Sequence, residues 1–178
     1  MTTFDPSTPA RAGIIVDDSA CAVDDLAFCG GVQVTVPADR SWGSLVELAV
    51  ASDWVGVEAL ADREGTVADA VRANATAYGQ CVGDTLSSVR TWDRKADTQK
   101  TFPAADCRLG DLTSPLAERL GADGFRYEIL DVSFLFRQGD LTTPVRDGDL
   151  ARLLAVESGA RVPLGAVTEA IKGSSEDG

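Results

Sequence analysis

The chain has 178 residues, 44% of them apolar and 25% charged, an ordinary globular composition long enough for one domain with its own core. With 28 acids against 16 bases the net charge is −12, which repels phosphate backbones and anionic lipid and argues against general nucleic-acid binding. Histidine is absent, which removes Ser-His-Asp and Cys-His catalysis, His-ligated metal or haem, and any imidazole pH switch.

Residues 1–11 are polar and proline-bearing, and are expected to form a disordered leader. The apolar run 13–16 stops at Asp17-Asp18, and 19–23 is a candidate hairpin partner for it. Gly30-Gly31 opens a run in which Val32, Val34 and Val36 alternate with polar residues, predicting a half-buried strand that Pro37 stops. Asp39 or Ser41 is a cap for a helix reaching about Ala51, with Leu45, Leu48 and Ala49 on one face. Residues 62–77 read as a loop holding a short helix near 67–72. Residues 85–93 alternate as a strand and pair with 99–102 across a turn, followed by one helical turn at 104–107. Pro115 sits at a first helical position after Thr113-Ser114.

Residues 126–137 hold the longest alternation, with Tyr127 and Ile129 followed by Leu130, Val132, Phe134 and Phe136, and are expected as the central strand. Short helices at 148–154 and 163–172 precede a solvated tail over 173–178. Helices scattered among antiparallel strands predict a single α+β domain over 12–172. Cys21, Cys29, Cys81 and Cys107 form no CxxC pair and match no zinc or redox spacing, so four reduced thiols are expected, with a Cys21–Cys29 bridge as the alternative. No metal site is expected. No apolar run of about 20 residues and no basic leader is present, so neither a membrane span nor export is expected and the location is read as cytoplasmic.

Gly56-Val57-Glu58-Ala59-Leu60, followed by Asn74-Ala75-Thr76-Ala77-Tyr78-Gly79-Gln80, carries a resemblance that blocks at 89–94, 104–107, 130–134 and 159–164 extend in order and spacing. The chain resembles the UDP-N-acetylenolpyruvoylglucosamine reductases (UDP-N-acetylmuramate dehydrogenases, MurB), flavoenzymes of peptidoglycan synthesis, in their actinobacterial branch. The resemblance covers about residues 12–172. It implies an antiparallel β-sheet with flanking helices, like the second FAD-binding subdomain of those enzymes. Their first subdomain, with its phosphate-holding glycine loop, and the serine and glutamate of their substrate domain find no counterpart here.

The motifs are also altered. The family's Gly-Ile-Pro-Gly flavin turn reads Asp62-Arg63-Glu64-Gly65 here, with Gly65 and the following Thr66 retained. A charged residue for glycine restricts positive φ, and losing proline removes a fixed bend. The small-residue pair has become Ala68-Asp69, and a Pro-Ile-Gln run has become Val71-Arg72-Ala73, while Asn74, Ala77, Tyr78 and Gly79 match. The family's Tyr-Arg pair, whose arginine helps stabilise an enolate-like intermediate, is Asp111-Leu112, and leucine offers an oxyanion no charge.

These departures lead to the expectation of a cofactor-independent, non-redox enzyme repurposed from a flavin subdomain. It would cyclise or isomerise a small, largely apolar substrate in bacterial specialised metabolism, for example by polyketide ring closure. Glu64, Asp69 and Asp111 as acid or base, and Tyr78 as donor, are the candidate catalytic residues. Arg63, Arg72, Asn74, Trp54 and Trp92 are the candidate substrate-binding residues, and no cofactor is expected. Two alternatives stay open. One is an FAD-binding oxidoreductase portion completed by a partner chain or dimer, with Gly65, Thr66, Tyr78 and Gly79 on the flavin. The other is a non-catalytic small-molecule-binding domain. Apolar surface left open by the missing domains implies a homodimer in each case, with a small molecule rather than nucleic acid or membrane as ligand.

Overall fold

A computed structural model describes residues 13–19, 31–122 and 124–176, and its elements follow the hydrophobic periods of the chain. The three-residue β1 (Ile15–Asp17) precedes β2 (Val32–Pro37), whose Val32, Val34 and Val36 point inward and are buried. Ser41 caps α1 (Trp42–Ala51) by accepting from the Ser44 amide at 3.4 Å, and Trp42, Leu45, Val46, Leu48 and Ala49 turn one stripe onto the sheet. After β3 (Trp54–Val55), a single 3-10 turn at Glu58–Leu60 leads to α2 (Val67–Arg72). A small hairpin follows, β4 (Thr76–Ala77) with β5 (Gln80–Cys81), and stands apart from the main sheet. The rest of the chain supplies β6 (Leu86–Asp93), β7 (Thr98–Pro103), α3 (Ala104–Cys107), β8 (Tyr127–Gln138), α4 (Gly148–Leu153) and α5 (Leu164–Glu176).

The sheet runs β1-β2-β8-β6-β7 with every pairing antiparallel, and β3 adds to the far end of β8. The long alternation is therefore the central strand, as expected. Its register against β6 slips twice: Leu86 and Ser88 face the adjacent Phe134 and Ser133, and Arg90 faces Asp131 but Thr91 faces Ile129, leaving Leu130 as the extra residue of a β-bulge. The bulge switches the inward frame, so Tyr127 and Ile129 before it and Val132, Phe134 and Phe136 after it are all buried. The Leu130 carbonyl instead accepts from the Ala38 amide at 3.0 Å.

On the buried face, Trp42 meets Phe134 edge-on at 6.2 Å, Phe134 stacks on Phe136 at 5.6 Å, and Trp54 stacks on Phe136 at 5.8 Å. The opposite face is polar, with Thr35 hydrogen-bonded to Ser133 and Arg90 paired with Asp131, and it exposes Ile15 and Leu135. β7 is an edge strand, exposed from Thr98 to Thr101, with the Lys100 ammonium 4.6 Å over the Phe102 ring. A second apolar cluster of Ala59, Val145, Leu150, Ala151, Val167 and Ile171 packs α4 and α5 onto the Glu58–Leu60 turn. That turn joins the two layers.

The fold class holds: an antiparallel sheet flanked by helices. β1 pairs with β2; the expected leader, most of the 19–23 partner segment, Cys21 and Cys29 lie outside the described residues. α5 continues to Glu176, so it takes in the first part of the segment read as a tail. Cys81 and Cys107 are free thiols, and burial pushes the Cys107 thiol up to about 11.

One ion pair fixes the lower end of the sheet. Asp93 is 3% exposed and accepts from Arg126 Nε at 3.0 Å and Nη2 at 2.7 Å, and also from the amides of Lys95 and Ala96. Arg126 and those amides hold the Asp93 carboxyl well below its ordinary 3.8. A depressed folded value means stability that is present above pH 3.8 and lost as pH falls through the folded value. Asp93→Asn is therefore expected to be less stable at neutral pH and to show a flatter acid limb, checked by acid titration followed by circular dichroism.

Candidate functional site

The β4–β5 hairpin turns through Tyr78 (φ 48°) and Gly79 (φ 77°), both in the left-handed region that a two-residue hairpin turn requires. A Cβ added at Gly79 would meet nothing within 4 Å, so the turn's backbone is open on that side. The hairpin separates two concavities. A groove of about 440 Å³ is lined by Leu60, Asp62, Arg63, Glu64, Thr76 and Ala77. On the other side, a cavity of about 330 Å³ lies between Tyr78, Gly79 and Gln80 and the segment 142–147, with Leu150 and Val167 as its apolar lining.

Beside the groove, Thr66 starts α2 with a reciprocal cap. Asp69 Oδ2 accepts from the Thr66 amide (2.9 Å) and hydroxyl (2.7 Å), while the Asp69 amide donates to Thr66 Oγ1 (3.2 Å). Those bonds, the Thr66 hydroxyl foremost, hold the Asp69 carboxyl below its ordinary range. Gly65 (φ 100°) is open on the inner side only as far as this carboxylate, which a Cβ would meet at 3.2 Å. The next two amides, Val67 and Ala68, donate to the carbonyls of Arg40 (2.8 Å) and Ala38 (2.9 Å). The amides of residues 66–68 are thus all engaged within the chain.

The structure divides the sequence-derived candidates. Arg63 and Glu64 share the groove with Asp62, and Tyr78 faces the other cavity, half-buried against the second apolar cluster. Asp69 is the helix cap. Arg72 turns inward from α2, donating to the carbonyls of Leu116 and Tyr127 and lying 3.9 Å over the Phe125 ring. Burial, helped by Arg119 and Arg94 and opposed by Asp69, pushes its guanidinium down to about 10. Asn74 (φ 42°) accepts the Gly83 amide at 3.1 Å and ties the base of the hairpin.

Asp111 closes an exposed turn by accepting from the Thr113 amide at 2.8 Å, which with the Thr113 hydroxyl lowers its carboxyl, and Leu112 beside it is fully exposed. Trp54 is 4% exposed in the aromatic stack, and Trp92 is half-buried on β6 opposite Gln99 and Glu128. Of the expected substrate-binding set, Arg72, Asn74, Trp54 and Trp92 line neither concavity, because each is held by its own structural partners or strand. The expected acid–base set does not converge either: Asp69 and Asp111 also lie outside both.

Two residues of the site escaped the residue-by-residue reading. Glu58 is fully buried and Gln80 is bonded to it, Nε2 to Oε1 at 2.8 Å. The available signal was a single acid inside the otherwise uncharged run 54–61.

No family model matches the chain. It is 41% identical over 147 residues to the UDP-N-acetylenolpyruvoylglucosamine reductase of Cutibacterium acnes, covering 83% of this chain and 38% of that protein. The enzymes of the same name from Thermobifida fusca and Streptomyces avermitilis are 37% identical over 155 residues and 36% over 144, covering 87% and 80% of this chain and 41% and 38% of theirs. The chain thus spans about two-fifths of the length of these relatives. Among solved structures, the MurB reductase of Thermus caldophilus matches with a TM-score of 0.50 at 17% identity, over 80% of this chain and 42% of that one, a likeness of fold.

These relatives overturn the cofactor-independent, non-redox reading, together with its cyclase, isomerase, polyketide and specialised-metabolism roles. They overturn with it the expectation that no cofactor is used, and they favour the FAD-binding alternative. Among the described residues no helix is long and apolar enough to cross a membrane. With its antiparallel sheet and that similarity, the chain is MurB-like, related to the UDP-N-acetylenolpyruvoylglucosamine reductases across about two-fifths of their length.

Proposed function

We propose that this chain forms one wall of an FAD site in an oxidoreductase that reduces a UDP-linked enolpyruvyl sugar. The remaining flavin and substrate contacts would come from polypeptide outside these residues, in a longer chain, a partner or a second copy. The relationship to the reductases supports this reading and a cytoplasmic place of action. The observation that carries it is the Tyr78-Gly79 turn, which belongs to the stretch that resembles the reductases and leaves the Gly79 backbone open beside the cavity it shares with Gln80 and residues 142–147, across the hairpin from the Leu60–Ala77 groove.

The fit to a flavin is uneven along the wall. A flat ring can approach the bare backbone at Gly79, where no side chain intervenes. The groove offers Arg63 and Thr76 as polar contacts. The Thr66–Ala68 stretch offers no amide donor, because Asp69 and the carbonyls of Arg40 and Ala38 take the amides of residues 66–68. Flavin, when bound, supplies hydride transfer; this chain's part is to orient the ring and cover one face from water. Leu112 brings no charge toward the reacting centre, so stabilisation of an oxyanion falls to other residues.

Titration of the purified protein with FAD, read by flavin fluorescence and thermal shift, tests the reading. Saturable quenching with a raised Tm is expected. Gly79→Asn keeps the left-handed turn that asparagine tolerates while placing a side chain on the open side, and should weaken FAD binding at least about tenfold. A wild-type protein indifferent to FAD at millimolar concentration would end the proposal.

A further inference from the structure

We propose that Glu58 and Gln80 are a positioning pair, a buried hydrogen-bonded clamp that sets where the Tyr78-Gly79 turn stands. Its bearing on flavin rests on the function proposed above; its bearing on the hairpin does not. Glu58 is 0% exposed, and none of the ion pairs among the described residues includes it. A buried carboxylate is tolerated only where donors reach it. Here both oxygens are met: Oε2 accepts from the Gly56 amide at 2.7 Å and Oε1 from Gln80 Nε2 at 2.8 Å. Gln80 completes the circuit, its Oε1 accepting from the Ala59 amide at 2.9 Å.

The hairpin needs such a tie. It has two paired residues on each strand and no place in the main sheet, and a lone two-stranded hairpin is marginal in water. Its base is held by the Val82 amide on the Ala75 carbonyl (3.0 Å) and the Gly83 amide on Asn74 (3.1 Å). Near the tip, the side-chain bonds run through Gln80 to the Glu58–Leu60 turn, the joint between the sheet core and α5. Bonds to a charged acceptor are stronger than neutral ones, so one side chain can fix the tip.

The polarity of the clamp makes it testable. Both Glu58 oxygens accept, so E58Q sets an N–H against either the Gly56 amide or the Gln80 amide. Q80E sets two carboxylates where 2.8 Å now separates donor from acceptor. The reciprocal exchange, E58Q with Q80E, satisfies every group again. The amide oxygen at position 58 accepts from Gly56, its nitrogen donates to the carboxylate at position 80, and the second oxygen there accepts from Ala59.

Amide hydrogen exchange by NMR on the full chain is the experiment. Each single variant should speed exchange at residues 77–81 at least about tenfold while the amides of β2 and β8 keep their protection, and the double variant should return to within about twofold of wild type. FAD titration in parallel should show affinity lost in the singles and regained in the double. If wild type takes up no FAD, the flavin reading falls while the exchange pattern still decides the clamp. A double variant no better than the worse single, a hairpin as protected in the singles as in wild type, or loosening spread evenly through β2 and β8 would overturn the proposal. Should a single variant not fold, the double decides alone: a wild-type hairpin supports the clamp and a loosened one refutes it.

Discussion

Phe134→Ala is expected to lower the free energy of unfolding by about 3–5 kcal/mol. Phe134 is fully buried at the middle of β8, directly between Val34 of β2 and Leu86 of β6. Its ring is the contact between the helix layer, through Trp42 at 6.2 Å, and the aromatic stack, through Phe136 at 5.6 Å. Three hydrogen-bonded strands hold the backbone around it, so the space left by truncation cannot close and the lining loses its dispersion contacts outright. Against a net stability of about 5–15 kcal/mol for a domain, that is a large share. Phe134→Leu keeps most of the volume and should cost clearly less. Urea denaturation of the three proteins measures both, and a loss under about 1 kcal/mol for the alanine variant would show that the stack does not anchor the sheet.

Gly56→Ala is expected to cost about 2–5 kcal/mol, from two separable sources. The residue sits at φ 129°, a conformation that L side chains rarely adopt, and its Cβ would stand 2.6 Å from Thr85 Cγ2. Thr85 is buried, and its hydroxyl donates to the Val82 carbonyl at 3.3 Å, which holds the rotamer and keeps the methyl from swinging aside. The same glycine donates its amide to Glu58, so backbone relaxation there disturbs the buried carboxylate as well. Adding Thr85→Ser removes the obstructing methyl and should recover the packing part while the φ strain persists. Denaturation of the two single variants and their combination separates the sources; no recovery in the combination would assign the whole loss to backbone strain.

The sheet was legible where a period was long enough to count. β2, β6 and β8 announced themselves by alternation, and even the frame change at Leu130 is visible in the sequence as two apolar runs out of phase. α2 was legible at 67–72 because its helix is short but bounded. The β4–β5 hairpin was not, since two residues a side carry no period and a tyrosine at φ 48° gives no compositional warning.

The candidate site fared worse for a physical reason. Arg72 reads from its helix as a free cation, yet its acceptors lie 44 and 55 positions further along the chain, beyond any local pattern. Asp69 was legible and misassigned: Thr66 followed three residues later by an acid is a capping signal, and it outweighs an acid–base role. The altered residues at 62–64 and 111–112 pointed away from flavin, while similarity spread through the rest of the chain points toward the reductases. A handful of conspicuous substitutions carries less information than many quiet matches.

The borders of the sheet set how copies of this molecule can meet. An edge strand grows by accepting another strand onto its free amides and carbonyls, and it is guarded by lysine, by proline, or by being short. β7 carries Lys100 in its middle and ends on Pro103, which has no amide to give. β1 at the other border offers only three residues, one of them Asp17. Among the described residues, growth of the sheet from molecule to molecule therefore meets a guarded border at β7 and a short one at β1. Borders of this kind disfavour an open ladder of backbone bonds that propagates into fibres, whereas side-chain surfaces can close into a finite assembly.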